Sequence, residues 1–510
     1  MKNSIFRFAT LFLVFVIFFG CAKSSKTPDD TLVVAIESMP STLDPRFATD
    51  AHSQWITSLI FNALVRVNRQ LEPEPEAAAR IEMPDPQTYV FHLREDLKFH
   101  NGQPVTAEDV AWSIRNIVDP EVKSPFAAAF KKIKFINTLD KNTIKLVLDQ
   151  PFAPFLLDMT LLKILPKEAG SPADLGFAKK PIGSGPFRLT ALKNDRIDLK
   201  RDPLIEGKIP KVRFLLVQDM NTRFLKLKQG EVDFAQNALD RQLLPEIHKI
   251  KHLQLVSEPG IIYQYLVFNL RDPILGNKAV RQAIAFAIDR EKIIEHLLAG
   301  FATPATSLLA PSNSFFVGNL PDYKFDTEKA KQLLDRAGYT DPDGDGPKPR
   351  FTIEYKTSNA QEATDIAQII RDQLKTVGIE VKVRSNEWGT FYSDLKSGNF
   401  QIASSRLVGI TDPDIYYDLF HSSRLAPAGR NRGFYINNNL DELVEKGRVT
   451  TDPSKRKEVY AEVQKIISND LPYMSLWYNQ NSAVFRKEVK GFEMYPNASF
   501  LFLTEIRKSP

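Results

Sequence analysis

The sequence predicts an α/β protein with a parallel sheet, and three observations carry that prediction. Between residues 351 and 405, strand-like and helix-like segments alternate as strand–helix–strand–helix–strand, an order that right-handed crossovers close into parallel pairing. Helix starts are marked by capping residues, among them Thr106-Ala107-Glu108-Asp109 and Asp326. The chain has 510 residues, 43% hydrophobic and 25% charged, an ordinary globular composition. At about 150 residues per domain the length suggests roughly three domains.

The elements follow in order. Leu32 to Ile36 is a short apolar strand, and Ser53 to Val67 is apolar at helical spacing. Thr88 to Leu93 and Thr143 to Leu148 alternate as half-buried strands do. Between them the capping box at Thr106 opens a helix that ends near Pro120. Pro181 to Pro186 is a rigid turn before strands at Phe187 to Thr190 and Ile197 to Lys200. Val212 to Val217 is a strand, Asn221 to Gly230 a helix closed by glycine, and Tyr265 to Leu270 a further strand. Asn277 to Ala299 reads as one helix, and Asp326 caps another that Gly338 stops. Strands at Phe351 to Lys356, Ile379 to Arg384 and Gln401 to Ser405 then alternate with helices at Ala360 to Val377 and Trp388 to Lys396.

The N-terminus speaks to location. Lys2 and Arg7 precede an apolar run from Phe8 to Gly20 that only Thr10 interrupts. This suits a secretory signal and is shorter than the roughly 20 residues of a membrane-spanning helix. The run ends at Cys21, the only cysteine in the chain. A small residue before a cysteine here resembles a bacterial lipobox, although Phe18 and Phe19 are bulkier than usual. Residues 1–20 are thus expected to be a signal peptide, with Cys21 the lipidation site and 21–28 a tether. The alternative, an uncleaved anchor, also places the protein outside the cytoplasm. The formal charge of +5 falls to +3 from Cys21 onward, too mild and too dispersed to indicate nucleic acid.

In open parallel sheets ligands bind beyond the carboxyl ends of the strands. Three loops qualify: Thr357 to Asn359, Ser385 to Trp388, and Arg406 to Asp414. The third ranks highest because it joins a charge, a glycine and a Thr-Asp-Pro turn. The candidate ligand-binding residues are therefore Arg406, Gly409, Thr411, Asp412, Trp388 and Asn359. The planar fork of Arg406 suits a carboxylate, or an ion pair with Asp412 or Glu387. Trp388 is either a pocket floor or a core residue. Metal signals are weak. Asp341 to Gly346 resembles the start of a calcium loop, but its twelfth position is Thr352 rather than a bidentate glutamate. His248 and His252 lack a third ligand. No metal, cofactor or catalytic set is expected.

Seven segments together resemble the extracytoplasmic solute-binding proteins of peptide, nickel and opine importers (solute-binding protein family 5). They are LREDLKFHNGQPVTAEDVAWSI (93–114), PIGSGPFRL (181–189), AVRQAIAFAIDREKII (279–294), FDTEKAKQLLDRAGY (325–339), IIRDQLKTVGIEVKV (369–383), TDPDIYYDLF (411–420) and RKEVYAEVQKIISNDLPYMSLW (456–477). The resemblance implies a periplasmic-binding-protein-like two-lobed fold (class II, cluster C) with an extra inserted α+β domain. Lobe I would comprise 29–50, 178–258 and 480–510, the inserted domain II 51–177, and lobe III 259–479. It further implies a monomer that is not an enzyme. Such a protein captures a peptide or related small ligand by hinge closure and delivers it to ABC transporter permease subunits from the periplasmic side of the membrane. Dipeptide-binding members carry a tryptophan and, three residues later, an aspartate that holds the ligand amine. Aligned on Asp412-Pro413, those positions are Arg406 and Gly409. The arginine that grips the dipeptide carboxylate falls at Thr364 or Asp365, so that scheme does not transfer intact. A ligand-binding sensor lipoprotein and a secreted hydrolase are the competing readings.

Overall fold

A computed structural model describes residues 27–509 apart from 168, 170–175 and 345. The expected signal peptide, Cys21 and most of the tether lie outside the described residues.

Period-2 alternation builds the main sheet. Along Thr31–Ile36 the side chains of Leu32, Val34 and Ile36 enter one apolar core, while Val33 and Ala35 enter another on the opposite face. A strand covered on both faces reads as a continuous apolar run, as this one does. Near the other end of the sheet, Leu266 and Phe268 pack into a core with Val280, Ile284, Ile353 and Ile370. Tyr263, Tyr265 and Val267 face a second core with Ala403, Leu407 and Tyr460.

These strands belong to one mixed eleven-stranded sheet. Phe351–Ser358 pairs in parallel with both Ile379–Asn386 and Ile402–Leu407, as the alternating order predicts. Thr31–Ile36 pairs in parallel with Lys211–Leu216 and Phe234–Gln236. Two long antiparallel strands, Leu253–Phe268 and Tyr473–Arg486, join the two ends of the sheet. Ile402–Leu407 hydrogen-bonds to the far half of the first, and Phe234–Gln236 to the far half of the second. Their mutual register shifts between Pro259 and Ile262. There Gly260 lies so close to its partner strand that a Cβ would sit 2.7 Å from the Asn479 carbonyl oxygen. A separate four-stranded antiparallel sheet, ordered Ala78–Asp85, Thr88–Leu93, Thr143–Leu148, Ile133–Thr138, has its own core against the helix Ala107–Val118. The fold is therefore a mixed α/β sheet structure with an extra antiparallel sheet.

The capping box at Thr106 forms, with Asp109 and Thr106 each accepting from the other's backbone N–H. Asp326 accepts from the Lys329 N–H, and Gly230 closes its helix at φ +79°. Three expectations need correction. The segment read as a helix over 53–67 is helical over Ala51–Ile60 and then turns into the strand Val65–Val67. The helix read over 277–299 is two, Lys278–Ala287 and Arg290–His296, because Asp289 caps the second and accepts from the Lys292 N–H. The strand read at 265–270 begins twelve residues earlier, at Leu253. Among the described residues no helix is long and apolar enough to cross a membrane.

Two segments singled out in the sequence meet. The His100 N–H donates to the Gly183 carbonyl (2.7 Å), and the His100 ring bridges the Gly183 N–H (3.4 Å) and the Gly185 carbonyl (3.0 Å). Gly183 is required by contact, since a Cβ there would lie 1.9 Å from the Ile60 carbonyl oxygen. This clamp fixes the exit of the helix Ala51–Ile60, whose other face lines the cavity described next.

Candidate functional site

A cavity of about 590 Å3 lies where the shifted register of the two long strands meets the surrounding loops. This is within the range of about 300–1,000 Å3 usual for small-molecule sites. Its walls come from distant parts of the chain. Glu37, just beyond the carboxyl end of Thr31–Ile36, and Trp55, on the helix Ala51–Ile60, line one side together with Asn497 to Ser499. Arg66, Glu76 and Lys163 contribute a second side, and Ile261, Ile262 and the loop after Ile402–Leu407 a third.

That loop is the highest-ranked one in the sequence, and Arg406, Gly409 and Thr411 all line the cavity. Arg406 sits on the strand opposite Gln264. Its side chain is exposed and, among the described residues, has neither a hydrogen bond nor an ion pair. Gly409 turns the chain at φ +75°, and a Cβ there would meet only open space. The Thr411 carbonyl accepts from the buried Asn313 side chain at 2.8 Å, which holds the loop in place.

Asp412 has a different role. Its carboxylate takes both arms of the Arg456 guanidinium, at 2.8 and 2.6 Å, and its Oδ1 also accepts from the Asp414 N–H. The expected partners of Arg406 are thus occupied elsewhere, because Glu387 caps its own helix by accepting from the Gly389 and Thr390 N–H groups. Trp388 is neither cavity floor nor core. It is 55% exposed and stacks on Tyr392 at 5.6 Å. Asn359 is exposed and donates its backbone N–H to the Asn386 carbonyl. Both residues sit beyond strands farther from the central pair than Ile402–Leu407, so neither lines the cavity.

The sequence reading did not single out the facing walls. Glu37 follows the carboxyl end of a parallel strand, and the rule that selected Arg406 also selects it. Lys163 carries a second signal, a single charge inside the apolar run Leu161 to Leu165. The acids and one cation of the cavity are engaged. Glu37 lies 3.5 Å from His52, Glu76 accepts from the Ala63 N–H at 2.7 Å, and Arg66 pairs with Glu74 at 2.6 Å. Among the described residues no group of three or more histidines, cysteines, aspartates or glutamates is placed to hold a metal ion.

The chain is 27% identical to the oligopeptide-binding protein AppA of Bacillus subtilis, over 96% of this chain and 95% of that protein. It is 27% identical to the glutathione-binding protein GsiB of Escherichia coli K12, over 95% of each. Among solved structures, the periplasmic binding protein DppA of Helicobacter pylori, in complex with the peptide STSA, superposes with a TM-score of 0.75 at 27% identity, covering 94% of this chain and 98% of that one. Residues 72–426 match the pattern described as bacterial extracellular solute-binding proteins, family 5 Middle. The chain therefore belongs to the bacterial extracellular solute-binding proteins of family 5, a family of binding proteins rather than enzymes.

Proposed function

We propose that this protein captures peptides in the cavity between its two lobes and passes them to the permease of an ATP-driven importer. Closure bends the paired strands Leu253–Phe268 and Tyr473–Arg486 near Gly260, where their register already shifts. A lipid on Cys21 tethers the protein outside the cytoplasmic membrane; this rests on the apolar run that ends at that lone cysteine. The peptide reading draws on what the relatives AppA and DppA bind.

The observation that carries the reading is Arg406, a guanidinium on the cavity wall with no partner among the described residues. A ligand carboxylate supplies the missing partner, and a closed cleft makes that pair stronger than an exposed one. Truncating one member of a desolvated pair costs about 2–5 kcal/mol, or roughly 30- to 5,000-fold in affinity. Native mass spectrometry of freshly purified protein identifies the co-purified ligand. Calorimetry then compares that ligand with its C-terminal amide on wild type and Arg406→Ala. The acid is expected to lose affinity in the variant far more than the amide does. Equal losses for both forms would remove Arg406 from carboxylate recognition.

A further inference from the structure

The cavity is lined by a second cation that, among the described residues, has no hydrogen bond or ion pair. Lys163 lines the cavity together with the Arg406 loop, following the 3-10 turn Met159–Leu161 and held by a bridge to Ala63. Its side chain is half-buried and, among the described residues, makes no hydrogen bond and no ion pair. Removing an ammonium from water without a partner is costly. Burial accordingly pushes Lys163 below its ordinary pKa, and Glu76 draws it only partly back. Glu76 accepts from the Ala63 backbone and, among the described residues, forms no hydrogen bond or ion pair with Lys163, so its charge offsets the ammonium only from a distance. Glu37 is likewise engaged by His52. The lining of this one cavity therefore holds two cations that have no hydrogen bond or ion pair among the described residues, Lys163 being offset only in part by Glu76.

We propose that the ligand is an acidic peptide carrying two carboxylates, one met by Arg406 and the other, on a side chain, met by Lys163. This rests on the peptide reading above and adds a selection rule to it. A neutral peptide with a free C-terminus satisfies Arg406 and leaves Lys163 desolvated and unpaired when the cleft closes. A second carboxylate removes that penalty. The selectivity is therefore for the charge of a residue inside the peptide, and it is separable from C-terminal recognition.

The test uses a degenerate pool of tetrapeptides with free C-termini, with bound members identified by mass spectrometry after removal of unbound peptide. Wild type is expected to enrich members with Asp or Glu before the last position by roughly tenfold or more over their Asn and Gln counterparts, a factor corresponding to one charge-assisted contact. Lys163→Gln abolishes that enrichment, Lys163→Arg retains it, and Arg406→Ala weakens all members while keeping the acidic preference among those still bound. Thermal unfolding of each variant verifies folding, and the wild-type enrichment is read without any variant. Peptides bound without acidic preference, or a preference that survives in folded Lys163→Gln, overturn the Lys163 proposal and leave the peptide reading intact. A pool from which nothing binds overturns both.

Discussion

Asp412 is in the loop that lines the cavity, yet its carboxylate is paired with Arg456, and the consequence is measurable. Arg456 donates Nε–H to the Gly447 carbonyl at 3.0 Å and both terminal nitrogens to Asp412, with its guanidinium 5.2 Å from the rings of both Phe315 and Tyr460. The side chains of Arg456 and Asp412 are 7% and 13% exposed. Asp412→Ala leaves the guanidinium buried with one hydrogen bond and two aromatic neighbours. Breaking a buried pair from one side costs about 3–5 kcal/mol. The Asp414 N–H also loses its acceptor, at the low end of about 1–3 kcal/mol because this turn is only partly buried. For a cooperative unit of about 150–250 residues, the combined loss of about 4–6 kcal/mol lowers Tm by roughly 8–24 °C. Calorimetry should show this loss in the transition to which the buried Trp477 reports by fluorescence. The double replacement Asp412→Leu with Arg456→Met should recover most of it, because no charge is then stranded. A Tm change below about 2 °C, with ligand affinity lost in the folded variant, would make Asp412 a ligand group and refute the assignment.

Two further outcomes follow from the sequence and the charge arrangement. Cys21→Ala should abolish incorporation of labelled palmitate and either release the mature protein or leave a longer precursor; unchanged labelling would refute the lipid tether. Asp414 has its carboxyl pushed up to about 7 by burial, with the Arg448 guanidinium pulling the other way. The folded chain then holds a proton that the unfolded chain has lost, so Asp414's contribution to stability falls as pH rises from about 4 to about 7. Denaturant midpoints across that interval should decline less in Asp414→Asn than in wild type, and parallel profiles would count against protonated Asp414.

What was legible in the sequence was what local physics decides. Thr88–Leu93 and Thr143–Leu148 were readable to the residue because one face is buried and the other partly open, which imposes clean alternation. Caps at Thr106, Asp326 and Gly230 were readable because each satisfies its own helix end. The long strand Leu253–Phe268 was only partly legible. Pro259-Gly260 marks a break by every local criterion, and the strand continues through it because Tyr473–Arg486 pairs on both sides of the shifted register. The cavity shows the same limit. The loop at 406–411 follows a visible strand end, whereas Lys163 joins it through an arrangement of sheets that no local pattern encodes. The pairing of Asp412 was not legible because its partner, Arg456, lies 44 residues away.

The loop also shows how a fold at about 27% identity to proteins named for an oligopeptide and for glutathione can serve different ligands. The groups that hold the loop and those that line the cavity are different ones. Asp412 and the Thr411 carbonyl are spent on Arg456 and Asn313, so changing those contacts disturbs the fold. Arg406 and Lys163 have no side-chain partner among the described residues, and the Gly409 Cβ direction opens onto empty space. Replacing either cation strands no buried partner, which is the step that makes most core charge substitutions costly. At Gly409 the cost is confined to the left-handed backbone, not to a clash. Positions that touch only the cavity can therefore exchange charge at little expense in stability, which would let the ligand proposed above change while the scaffold stays the same.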